Sequence, residues 1–238
     1  MAIPALRFEN IVKQYDKKTV LQNINLEISA GEFFGLVGMN GAGKTTLIKC
    51  LLDFCAFNDG AIEIFGVSHH LTEARKSLAF LPERFMPPYY LTGRDFLKYI
   101  LTLQAMAYDQ RKVEAMLCAL DLDPSALDRP VRAFSKGMTQ KLGLAASFLA
   151  GKSLYVLDEP MSGLDPKARA LLKTHLKKLR ATNHTLFFSS HALADVDEIC
   201  DRMAILHNGQ LRFIGSPEEC RRHYAAETLE QAYINCIA

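Results

Sequence analysis

The segment Gly38-Met39-Asn40-Gly41-Ala42-Gly43-Lys44-Thr45-Thr46 constrains this chain more than any other stretch. It fits G-x-x-x-x-G-K-[ST] and stands between a short continuous apolar run, Phe33 to Val37, and a helical stretch from about Lys44 to Leu52. Such a run suits a buried strand of a parallel sheet. Glycine lets backbone N–H groups turn inward and approach phosphate oxygens, and the helix start behind them adds partial positive charge. Lys44 is placed to reach the β- and γ-phosphates, and the Thr45 hydroxyl to ligate Mg²⁺. The segment therefore predicts a strand–loop–helix cradle for a nucleoside triphosphate. The Asn-Lys-x-Asp element by which small GTPases read guanine is absent.

The rest of the chain alternates short β-rich runs with helical stretches, which favours an α/β fold. Leu6 to Val12 and Thr19 to Ile28 read as strands, the second alternating at Ile24, Leu26 and Ile28. Ala61 to Phe65 and Ser77 to Leu81 are further strands. From about Thr92 to Ala150 strand signals vanish, and three helices are expected over Thr92 to Ala107, Gln110 to Leu120 and Ser135 to Ala150. This reads as a helical lobe inserted into an α/β body. The β/α pattern returns with a strand at Leu154 to Leu157, a helix from Pro166 to Arg180 and a strand at Thr185 to Ser189. Met203 to His207 and Gln210 to Ile214 flank Asn208-Gly209, a hairpin signal, and two short helices follow.

A length of 238 residues is about one and a half typical domains, so one domain with an inserted or appended lobe is expected. With 49% hydrophobic and 23% charged residues, a disordered chain, a fibre and a small disulfide scaffold are excluded. A net charge of +2 gives no reason to expect a nucleic-acid partner. The six cysteines form no CxxC pair and read as reduced thiols. No apolar run approaches the roughly 18 residues that span a bilayer, so work at a membrane would need a second chain. Apart from His191, the histidines show no ligand spacing, and His69-His70 is expected in a solvated turn. The basic helix after Pro166 is expected to present a solvated face.

A second acidic pair completes the chemistry. The apolar strand from Leu154 ends in Asp158-Glu159. An Asp at the carboxyl edge of a parallel sheet points towards the phosphate loop and would hold Mg²⁺. Glu159 points differently, and is a candidate to polarise an attacking water. Pro160-Met161-Ser162-Gly163-Leu164-Asp165 follows. Upstream stands Phe134-Ser135-Lys136-Gly137-Met138-Thr139-Gln140, where Ser135 can cap the third helix of the inserted lobe and make a second anion-binding helix start.

These motifs, in this order, resemble the ATP-binding subunits of ABC transporters over nearly the whole chain. Gly38 to Thr46 matches the Walker A motif, and Leu154 to Glu159 matches Walker B with its catalytic glutamate. Ser162 to Asp165 matches the D-loop, His191 the switch histidine, and Tyr15 the aromatic residue that stacks on adenine. The signature reads Phe134-Ser135-Lys136-Gly137-Met138, with Lys136 in place of a glycine, and the Q-loop glutamine is Glu83. Both variants resemble those of the branch that serves exporters.

The resemblance implies a P-loop NTPase core with a mixed sheet, an N-terminal antiparallel β subdomain and an inserted α-helical subdomain. RecA-like and β lobes would occupy about residues 1–84 and 151–238, and the helical lobe about 85–150. It implies ATP bound by Tyr15, Gly38, Met39, Asn40, Gly41, Ala42, Gly43, Lys44, Thr45 and Thr46, with Ser135 and Gly137 contributed from a second subunit. Mg²⁺ would be held by Thr45, Glu83 and Asp158, and hydrolysis carried by Glu159, His191 and Lys44. Its implied partners are a second copy or a homologous ATPase subunit, and an integral membrane permease on whose cytoplasmic side the chain would sit. Phe85 to Tyr90, an apolar, proline-stiffened stretch, would edge the groove that takes a short permease helix. Two other readings remain: a soluble ABC-type ATPase of translation or DNA repair, and a nucleotide-binding regulatory module.

Overall fold

The computed structural model describes residues 3–238. Strand β1 (Leu6–Tyr15) and β2 (Lys18–Ile28) pair antiparallel, and β1 pairs antiparallel with β4 (Asp59–Ile64), which carries the two-residue β5 (Val67–Ser68) on its far side. This four-stranded sheet has the order β2-β1-β4-β5. In β2 the residues Ile24, Leu26 and Ile28 are buried, while Asn25 and Glu27 are exposed, as the alternation predicts.

The second sheet runs through the centre. Its strands are β3 (Phe33–Val37), β6 (Leu78–Leu81), β7 (Leu154–Asp158), β8 (Thr185–Ser190), β9 (Arg202–His207) and β10 (Gln210–Gly215), in the order β10-β9-β3-β8-β7-β6. All neighbours are parallel except the β9–β10 hairpin. The sheet is apolar on both faces because both are covered. Phe33, Tyr155, Leu157 and Phe188 pack on one side, and Phe34, Leu36, Val156 and Phe187 on the other. The second side also receives α1 (Lys44–Leu51) and the antiparallel sheet. This mixed α/β architecture with its antiparallel β subdomain is the fold class the sequence predicts.

Between β6 and β7 the chain is helical: α3 (Gly93–Leu103), α4 (Gln110–Ala119) and α5 (Lys136–Leu149), after a short α2 (Thr72–Arg75) that precedes β6. The sequence runs the first of these helices on to Ala107, but it stops at Leu103, and Ala105 takes a left-handed φ of 55°. Nothing in the composition of Gln104-Ala105-Met106 marks that reversal. Three capping side chains start the helices: Thr92 Oγ1 accepts from Asp95 N–H, Asp109 from Arg111 N–H, and Ser135 from Met138 N–H. Helices α6 (Pro166–Ala181), α7 (Leu193–Ile199), α8 (Pro217–His223) and α9 (Leu229–Ile237) complete the chain, and α7 is an element the sequence pattern does not reveal. The basic face of α6 is partly tied down, with Lys173 and Lys177 both paired to Glu198.

Candidate nucleotide site

Three parallel strands bring the site together. β3 and β8 align Val37 with Ser190, and β7 and β8 align Asp158 with Ser189, so their carboxyl ends open on one edge. From that edge extend the Gly38–Gly43 loop, Glu159 and His191. The loop can hold its shape only with glycine at particular places. A Cβ at Gly38 would lie 2.5 Å from the Leu206 carbonyl oxygen, and one at Gly43, whose φ is 113°, would lie 2.9 Å from Leu21 Cδ2. Gly41 also takes a positive φ of 84°, and a Cβ there would meet no protein atom within 4 Å. This backbone lines a cleft of about 330 Å³ with Lys44, Thr45, Thr46 and Glu159 around it.

Lys44 is buried, and a buried ammonium needs partners. Its Nζ donates to the Gly38 carbonyl at 2.6 Å and lies 3.6 Å from Glu159 Oε1. The other Glu159 oxygen lies 2.8 Å from His191 Nδ1. Glu159 adopts a left-handed φ of 50°, unusual for a side chain of its size, and this turns its carboxylate away from the strand direction that Asp158 follows. Thr45 Oγ1 donates to Asp158 Oδ2 at 3.0 Å.

Ser189 is a member of the site that the motifs do not reveal. Its hydroxyl donates to Asp158 Oδ1 at 2.5 Å and accepts the Glu159 N–H at 3.0 Å. One buried side chain thus orients both acids. It stands 31 positions from Asp158, and only the β7–β8 pairing makes it a neighbour. Arg84 lines the mouth of the cleft beside Glu83, outside the motifs.

The remaining expected positions are distributed as follows. Tyr15 ends β1, is 45% exposed, and carries Lys13 Nζ 4.3 Å above its ring. The Cys55 thiol beside it and, less strongly, burial raise its hydroxyl pKa above the usual phenol value. Met39 and Asn40 are exposed at the tip of the loop, and Ala42 is buried against the core. Glu83 is exposed and lines the cleft. Ser135 and Gly137 are not among the residues lining that cleft. Instead the start of α5 packs on its own chain's Ser162–Asp165 turn: a Cβ at Gly137 would lie 3.0 Å from the Gly163 carbonyl oxygen, and Lys136 lies along Gly163. Gln140 Nε2 donates to the Pro160 carbonyl at 3.1 Å.

One expectation fails. His69 does not lie in a solvated turn: it is 2% exposed, because the β5 bridge folds it back onto β4, where its Nδ1 meets the Ile62 carbonyl at 3.1 Å.

The donor set fits a nucleoside triphosphate with Mg²⁺. The glycine-shaped loop leaves backbone room for phosphates, Lys44 supplies the cation, and Thr45 with Asp158 supplies a hydroxyl and a carboxylate of the kind Mg²⁺ takes.

Residues 21–162 match the family model described as "ABC transporter". The chain is 38% identical over 202 residues to an uncharacterised ABC transporter ATP-binding protein of Synechocystis sp., which covers 84% of this chain and 57% of that protein. It is 30% identical over 234 residues to the lantibiotic transport ATP-binding protein SrtF of Streptococcus pyogenes, covering 98% of this chain and 97% of the relative. Among the first curated relatives it matches, the chain spans between 57% and 69% of their length. Among solved structures, an ATP-binding subunit of an ABC transporter superposes with a TM-score of 0.90 at 29% identity, covering 98% of this chain and 99% of the other. Fold, motif order and these likenesses agree: the chain belongs to the ABC transporter ATP-binding family.

Proposed function

We propose that this chain binds and hydrolyses ATP to power a membrane transporter, of the exporting kind, by closing head-to-tail on a second ATPase subunit. The observation that carries the reading is the position of the Glu159 carboxylate, held between Lys44 and His191 beside the Thr45–Asp158 pair. When bound, Mg²⁺ would be held by Thr45 and Asp158, with Glu83 at the rim, and would neutralise charge on the phosphate oxygens. Lys44 neutralises Glu159 and is held by a loop carbonyl. Phosphates entering the cradle offer Lys44 a better partner, which releases the Glu159 carboxylate to orient water and take its proton. His191, on its exposed loop, would meet the γ-phosphate. Tyr15 would trade the Lys13 ammonium for adenine on its ring face.

The transport reading is supported by a second cavity. A groove of about 870 Å³ is lined by Phe85, Met86, Tyr89, Tyr90 and Phe134, and Met86, Tyr89 and Tyr90 are exposed. Glu83 and Arg84 line both this groove and the nucleotide cleft, so a segment of only two residues links them. An exposed apolar patch of this kind suits an apolar partner helix, here that of the permease. No helix among the described residues is long and apolar enough to cross a membrane. The Glu83 and Lys136 variants and the likeness to a lantibiotic transport protein support export.

The purified chain is expected to release phosphate from ATP, and to co-purify from detergent with a polytopic membrane partner. Tyr89→Asp with Met86→Asp should abolish co-purification while leaving phosphate release by the isolated chain unchanged. Phosphate release with no membrane chain co-purifying from detergent would favour the soluble alternative, and no phosphate release the regulatory module.

Glu83 bears on the metal. A carboxylate offers Mg²⁺ a charged oxygen where the commoner glutamine offers a neutral one and a donor. Without metal it sets a negative charge near the γ-phosphate, and like charges about 4 Å apart cost roughly 4 kcal/mol at an effective dielectric of 20. Mg²⁺ between them reverses that sign. Glu83→Gln should therefore weaken ATP binding in Mg²⁺ and strengthen it in EDTA at fixed ionic strength. Equal shifts in both conditions would remove Glu83 from the metal site.

A further inference from the structure

A second cluster of ligand-bearing side chains lies at the other end of α1 from the phosphate loop. Asp53, His69 and His70 bring one carboxylate oxygen and one ring nitrogen of each histidine within 4.8 Å of one another. They come from two segments. Asp53 closes α1 in a left-handed conformation, φ 60°, where its N–H donates to the Cys50 carbonyl at 3.1 Å. His69 and His70 lie between β5 and α2. The closing end of a helix carries partial negative charge, which favours a cation.

His69 has the chemistry of a ligand. A carbonyl only accepts hydrogen bonds, so the contact of Nδ1 with the Ile62 carbonyl puts the ring proton on Nδ1. Nε2 then holds a bare lone pair, and it is buried without a hydrogen-bond partner. Buried polar atoms are normally satisfied, so an orphan calls for a reason. A backbone carbonyl on one nitrogen is also how metal-binding imidazoles are held in the right tautomer and orientation. Phe57, stacked 5.2 Å from His69, closes one side.

We infer that Asp53, His69 and His70 form a site for a divalent transition-metal ion of the Zn²⁺ type, separate from the nucleotide's Mg²⁺. Two imidazoles and one carboxylate select Zn²⁺, Ni²⁺ or Cu²⁺ over Mg²⁺. Zinc takes His nitrogen and carboxylate oxygen at about 2.0–2.2 Å, which in a tetrahedron sets ligand atoms roughly 3.3 Å apart. Asp53 Oδ1 and His70 Nδ1 already lie 3.1 Å apart. Both side chains are on the surface and can close on the fixed ring of His69. Arg75 bears on the outcome from the other side. Its guanidinium donates to the His69 carbonyl and lies 3.6 Å from Asp53 Oδ2, so it orients the carboxylate and leaves Oδ1 facing His70. Its charge also opposes a dication. Three protein ligands beside a cation describe a site that exchanges its metal, with water in the fourth place, and that ties the end of α1 to the β subdomain when filled.

The test is a titration of the full chain with zinc chloride against a chromophoric chelator. Asp53→Asn and His70→Ala alter exposed positions and leave the core intact. Each is expected to weaken Zn²⁺ binding by 10-fold or more, the size of loss typical when a metal ligand's surroundings are disturbed. The double change Cys50→Ser with Cys55→Ser should leave it unaltered, although these two thiols lie 3.6 Å apart and are the alternative zinc ligands to be tested. Parental Zn²⁺ affinity in either of the first two variants would overturn the assignment. So would loss of binding in the cysteine variant alone, which would place the zinc on the thiols.

Discussion

Glu159→Gln is expected to bind ATP more tightly than the parental chain and to hydrolyse it about 10²–10⁴-fold more slowly, the usual cost of losing a general base. The amide keeps the size of the side chain and can keep its left-handed backbone, so the loop should not move. What disappears is the charge. An amide does not take the proton of an attacking water. It also no longer neutralises Lys44, which lies 3.6 Å away, and the buried ammonium is left with loop carbonyls. That loss should favour phosphate binding, because the carboxylate that lies 3.6 Å from Lys44 no longer competes with the phosphates for it. The two effects point the same way: tighter nucleotide, slower chemistry, and a closed two-subunit form that persists in Mg²⁺ and ATP. Single-turnover hydrolysis and size-exclusion chromatography with ATP present would measure both. Turnover near the parental rate would remove Glu159 from the catalytic role and leave its contacts with Lys44 and His191 as structural.

The parts of this site that could be read from sequence are those in which chemistry is written contiguously. Gly38 to Thr46 contains its own loop, its own cation and its own hydroxyl, and the strand that ends at Asp158-Glu159 announces itself by four buried apolar positions running into two acids. What could not be read depends on pairing across the sheet or on reversal of the chain. Ser189 looks like the unremarkable end of an apolar strand until β8 is laid beside β7, when its hydroxyl becomes the shared anchor of both acids. His69-His70 has the local look of a polar turn. A two-residue strand is too short to show a period, yet β5 is enough to press His69 under the antiparallel sheet. Lys136, a departure from the family signature, has a visible place only in three dimensions, along the face of Gly163. Each failure is of one kind: the signal sits in a partner residue and not in the local pattern, seven positions away for His69 and 31 for Ser189.

A mixture of two defective chains should recover activity that neither has alone. Ser135 caps α5 by accepting the Met138 N–H, and the exposed helix start it makes is suited to an anion. Yet Ser135 and Gly137 do not line the cleft that holds Lys44, Thr45 and Glu159 in the same chain. If the γ-phosphate is shared, each site takes its cradle from one subunit and its α5 start from the other. Lys44→Ala removes the cradle's cation, and Ser135→Arg obstructs the helix start. In a dimer of one of each, both defects fall on a single site and the opposite site is intact. Either variant alone should then fall to background hydrolysis, whereas the mixture should regain a fraction set by the share of mixed dimers, about half at equal concentrations if pairing is random. Were all catalytic groups to lie in one chain, every subunit in the mixture would still carry a defect, and mixing would restore nothing. Tagged subunits that pair in pull-down yet hydrolyse no more ATP than the single variants would therefore place the whole reaction within one chain.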